Sequence, residues 1–232
     1  ETLMFDCWCL SLPALGIGRR FPIAAASGLL MSGFALLVAS LGMANPQITP
    51  LVPVLRSPWL SLHVSLIMVS YALLGLLMLN GTAALALATA ERTSRTLARL
   101  RLFGRLLLYP AVFLLTAGIF TGAVWANASW GRYWGWDPKE VWALITLIVY
   151  ALPLHEQSLA RFRRPLFFHA YTLWAFAAVL MTYFGVNYLL GGMHSYGGGF
   201  RPGYAAATVF AAVTAFALLT VAALIRQRRT DT

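Results

Sequence analysis

Charge is what this sequence has least of. Of its 232 residues only 10% are Asp, Glu, Lys or Arg, and only seven of those are acidic. Soluble domains carry about 25% charged residues, so a soluble globular surface is excluded. Two cysteines, Cys7 and Cys9, are too few for a zinc site or a disulfide framework. They read as polarisable core or interface residues rather than as working thiols. No CxxCH occurs, so the chain is not itself a c-type cytochrome. Internal repeats and low-complexity linkers are missing too, which predicts one domain over residues 1–232. No cleavable signal is evident, and the abrupt opening "ETLMFDCWC" reads as an internal cut point or a short leader.

What the chain has in excess is apolar side chains, 60% of the total. About 20 apolar residues cross the ~30 Å of hydrocarbon in a bilayer. Phe21–Met43, Trp59–Ala90, Leu106–Ala128, Pro138–His155, Pro165–Met193 and Tyr204–Ile225 qualify, with Thr2–Gly18 a weaker seventh. Lipid leaves an open sheet edge unsatisfied, so these spans should be helices. The expected fold is an all-α polytopic membrane protein of six to seven transmembrane helices.

The net charge of +10 would suit nucleic acid, but its placement argues against that partner. The cations fall in gaps between apolar runs. Arg19, Arg20, the five arginines from Arg92 to Arg105, Arg161, Arg163, Arg164 and the tail arginines 226, 228 and 229 form one alternate set of thirteen. Arg56, Arg132, Lys139 and Arg201 form the other. The first set and the C-terminus are therefore expected in the cytoplasm, under an inner or cytoplasmic membrane. The loop at about 127–140 then faces outward.

That loop holds "WGRYWGWDPKE", residues 130–140. Interfaces between lipid and water attract Trp and Tyr, and Asp137, Pro138 and Glu140 read as N-cap, first turn and third helical position. A belt and a cap do not explain why Trp130, Trp134, Trp136 and Trp142 crowd together. A dense aromatic shelf suits a large flat apolar ligand.

The four histidines fall into two pairs. His63 and His194 lie at the outer ends of spans, beside the loop; His155 and His169 lie at the inner ends of two spans joined by Arg161–Arg164. Taken singly, each fits an interfacial hydrogen-bonding residue. In pairs, imidazoles can hold haem iron from both sides, and outer cations such as Lys139 could meet haem propionates. Glu156 reads as a solvated helix-end charge.

The motif resembles the tryptophan-rich signature WGxxWxWDxxE of haem-handling membrane proteins. "WDPKE" followed by "VWALITLIVYALPLH" is most similar to the CcsA/ResC family of system II cytochrome c biogenesis. "SLHVSLIMVSYALL" and "FGVNYLLGGMHSYG" match two further landmarks, so the resemblance runs from about Trp59 to Tyr196. It implies that His63 and His194 are axial ligands flanking the loop, with haem b as cofactor. It also implies that His155 belongs to a membrane-embedded haem site completed by a CcsB/ResB-type partner or by a fused N-terminal part. His169 has no expected counterpart: either it shares an inner iron with His155 or, if the family pattern holds, it is a lipid-interface residue. The implied function is haem delivery across the membrane and presentation to apocytochrome c, whose CxxCH thiols form thioethers, as the haem-presenting part of a holocytochrome c synthase. Two rivals share these features: a haem exporter loading a chaperone, and a di-haem electron carrier of cytochrome b type.

Overall fold

The structure is a computed structural model that describes residues 56–90, 94–190, 192–193 and 203–230, with isolated helical positions between 8 and 33. The expected spans Thr2–Gly18 and Phe21–Met43 lie largely outside the described residues, as do Cys7, Cys9 and His194. Every regular element described is helical: α1 (Pro58–Thr89), α2 (Ser94–Trp130), α3 (Pro138–Ala151), α4 (Pro165–Leu180), a π-helical turn Met181–Gly185, α5 (Val186–Leu189) and α6 (Gly203–Thr230). Short 3-10 turns fill Leu152–His155 and Ala160–Arg163. Four of the described helices, Pro58–Thr89, Arg95–Trp130, Pro165–Gly185 and Phe210–Gln227, are long and apolar enough to cross a membrane. The protein is a multi-pass, all-helical membrane protein.

Three expected spans change shape. Helix α2 begins at Ser94, twelve residues ahead of Leu106, and takes in most of the arginine run that was read as a loop. Arginine is a good helix former, so a basic stretch feeding an apolar one continues the helix instead of breaking it. The expected span Pro138–His155 divides into a 14-residue α-helix and a 3-10 turn. Pro153 has no N–H for the carbonyl of Val149 four residues back; the Tyr171 hydroxyl donates to that carbonyl instead, at 2.8 Å. The span from Pro165 stops being helical after Leu189, short of Met193.

The chain divides into two compact units, one made of residues 1–76 and 107–136, the other of 77–106 and 137–232. In the first, α1 meets α2 across small residues. Gly118 and Gly122, one helical turn apart in "GIFTG", present no side chain, and an added Cβ would meet Ile67 and His63 within 3 Å. Without a hydrophobic driving force in lipid, such close backbone approach is how helices gain packing energy. Ser70 Oγ donates to the Ala111 carbonyl at 2.8 Å along the same seam.

In the second unit, Leu85, Leu166, Leu173 and Ala223 form a core from α1, α4 and α6. Asn80 donates to the Leu100 carbonyl at 3.0 Å. Arg101 and Arg105, on the basic start of α2, both pair with Glu156.

Candidate functional site

His63 sits in the second turn of α1, half-buried. Its Nδ1 lies 2.7 Å from the Gly118 carbonyl. A carbonyl only accepts, so Nδ1 carries the hydrogen and Nε2 is left with its lone pair. That tautomer is the one a metal-binding imidazole adopts when its other nitrogen is anchored. Gly122 makes the slot: a Cβ there would lie 2.6 Å from His63 Nδ1 and 2.7 Å from Cε1. Thr121 donates to the same Gly118 carbonyl at 2.9 Å. The two glycines four apart in "GIFTG" are a sequence signal that could have pointed to this slot.

The tryptophans are arranged less uniformly than a flat shelf. Trp130 closes α2 and stands edge to face against buried Trp125, with centroids 4.7 Å apart. Gly131, with φ +73°, ends the helix behind it. Trp134 and Trp136 form a second edge-to-face pair, 5.9 Å apart at 89°. Perpendicular rings offer a flat ligand one face and one edge. Trp136 is 71% exposed, and its φ of +56° puts a bulky residue in the left-handed region. Such backbone costs about 1–3 kcal/mol and persists where its surroundings impose it. Trp142 lies on α3, not on the loop, and its carbonyl accepts from Thr146 and Thr182 at 2.8 and 3.1 Å.

The second half of the motif is a knot of hydrogen bonds. Asp137 is only 6% exposed. Its Oδ2 accepts from the Lys139 amide at 3.2 Å, and the Asp137 amide donates to Glu140 Oε2 at 3.2 Å, completing a capping box. Its Oδ1 accepts from the Met193 amide at 2.6 Å. Lys139 Nζ donates to Asn187 Oδ1 at 2.9 Å, which ties this cation to the segment after the π-helical turn. Nothing in the sequence pattern pointed to Asn187 or Met193.

At the other histidine pair the two residues differ. His155 is exposed at the end of its 3-10 turn. Glu156 beside it is 17% exposed and clasped by Arg101 and Arg105, which corrects its reading as a solvated charge. His169 is fully buried, not at a lipid interface. Its Nε2 points to the Leu97 carbonyl at 3.4 Å, while Nδ1 has no hydrogen-bond partner among the described residues. Gly81 meets the His169 carbonyl so closely that a Cβ would lie 2.8 Å from it. A turn-end arginine count could suggest the Glu156 pairing; an evenly apolar helix gives no sign of which face buries His169.

A family model described as cytochrome C assembly protein matches residues 1–194. The chain is 42% identical over 204 residues to the protein NrfI of Wolinella succinogenes, covering 86% of this chain and 23% of that one. It is 36% identical over 239 residues to the cytochrome c biogenesis protein CcsA of Mesostigma viride, covering 85% of this chain and 75% of that one. With the protein of the same name from Synechococcus sp. strain CC9311 it shares 37% identity over 238 residues, covering 85% and 77%. The chain thus spans under a quarter of the NrfI protein and about three quarters of these two CcsA proteins.

Proposed function

Because the chain belongs to the cytochrome c assembly family, which handles haem, we propose that it carries haem b across a bacterial inner or cytoplasmic membrane and presents it to apocytochrome c. In this reading it acts with a CcsB/ResB-type membrane partner. The tryptophan-rich loop faces the periplasm, and the C-terminus faces the cytoplasm. His63 and His194 ligate the iron at the outer site, and His155 serves an inner one that the partner completes.

The observation that carries the reading is the anchored imidazole of His63. Its Nδ1–H donates to the Gly118 carbonyl, which fixes the ring in the tautomer whose Nε2 carries the lone pair a metal would bind. That donor chemistry fits haem. Trp134 and Trp136 add an aromatic face and edge beside a loop held in a strained conformation. Bound haem supplies the vinyl groups that the CxxCH thiols add to, forming thioethers. The chain's own residues hold the iron, shield the porphyrin and set the exposed edge, the part a protein plays around a reactive cofactor.

The test is coordination. His63→Gly and His194→Gly should each open one position on the iron of the purified haem-bearing protein, and added imidazole should refill it with a matching change in the absorption spectrum. Identical spectra for wild type and both variants would sink the reading.

A further inference from the structure

Asp137 is one of two acidic residues in the tryptophan-rich motif, yet it is nearly closed off from solvent. Its two oxygens serve different segments. Oδ2 caps α3 through the Lys139 amide, while Oδ1 reaches 56 residues along the chain to the Met193 amide at 2.6 Å. Met193 is bonded directly to His194. The neighbouring Gly192 is the closest approach: a Cβ there would lie 2.6 Å from Asp137 Oδ1 and 3.1 Å from Pro138 Cδ. A second tie runs parallel, from Lys139 Nζ to Asn187 Oδ1 at 2.9 Å, just past the π-helical turn. Thr146 and Thr182 make a third, at 2.9 Å.

We infer that Asp137 is a positioning residue for His194: its Oδ1 straps the backbone at Met193, with Gly192 as the gap that lets the strap close, and so aims the imidazole that follows. A charge-assisted bond from a buried carboxylate is about twice as strong as a neutral one, enough to hold the Met193 amide in place. The role is distinct from contact with haem, and it rests on the reading of His194 as an iron ligand.

The experiment compares four variants of the full-length protein, purified with its haem: His194→Gly, Gly192→Ala, Asp137→Ala and Glu140→Ala. Gly192→Ala crowds the strap and leaves the α3 cap in place. Glu140→Ala removes half of the capping box and leaves the strap in place. Gly192→Ala and Asp137→Ala should both reproduce the imidazole-refillable vacancy of His194→Gly, and Glu140→Ala should keep the wild-type spectrum at whatever yield it gives. If Asp137→Ala does not accumulate, Gly192→Ala decides alone. A wild-type spectrum in Gly192→Ala, alongside an altered one in His194→Gly, overturns the strap and spares the ligand. An unaltered spectrum in His194→Gly removes the ligand reading and the strap with it.

Discussion

The two halves of one eleven-residue motif are built on opposite principles. From Trp130 to Trp136 the chain combines half-buried indoles at Trp130 and Trp134, in edge-to-face pairs, with exposed Tyr133 and an exposed Trp136 in the left-handed region. From Asp137 to Glu140 the polar side chains turn inward, to a capping box, to the Met193 amide or to the Asn187 side chain. The hydrogen bonds of the second half hold protein to protein, whereas in the proposed function the rings of the first half meet haem. A motif that reads as a single signature thus combines a surface for something else with a fastening for the protein itself.

The largest effect should come from attacking the fastening. Asp137→Ala leaves the α3 amide and the Met193 amide without acceptors, a loss of about 2–4 kcal/mol from a missing cap and a buried unsatisfied donor. Thermal unfolding in detergent should show a lower midpoint than for any single tryptophan variant of the first half. A midpoint for Asp137→Ala matching that of Trp136→Ala would erase the contrast.

Next in size is haem retention. Trp134→Ala should weaken binding by about 1–3 kcal/mol, the worth of one aromatic ring laid on a flat ligand. Haem per protein should fall several-fold at near-normal protein yield. Loss of the protein with constant haem per molecule would mean that the first half is a fold element after all.

The smallest effect is also the sharpest. At Trp136, glycine tolerates the left-handed backbone and alanine does not, so Trp136→Gly should be about 1 kcal/mol more stable than Trp136→Ala. Both should lose the same haem, because both lose the ring. Equal stability of the pair would show that the loop relaxes once the indole is gone.

Much of the scaffold was legible in the chain. Prolines at 58, 138 and 165 mark helix starts, and the Asp137–Glu140 box is present as its spacing implies. Local signals of this kind depend on neighbours three or four residues apart. What was not legible depends on distant partners. The bond to Met193 spans 56 residues and the Arg101–Glu156 pair spans 55. The arginine run hid the start of α2 because charge suggests a loop while propensity favours a helix. His169 was misplaced because α4 is apolar all round, and such a helix carries no stripe to say which face is inside.

The exchange at Pro153 bears on how α3 pairs with α4. Helix α3 carries a carbonyl at Val149 that its own chain cannot satisfy, and the Tyr171 hydroxyl of α4 supplies the missing donor. In hydrocarbon an orphaned carbonyl costs several kcal/mol, and a 14-residue helix is short for a span. Pairing with α4 therefore removes a cost that α3 alone would carry in hydrocarbon.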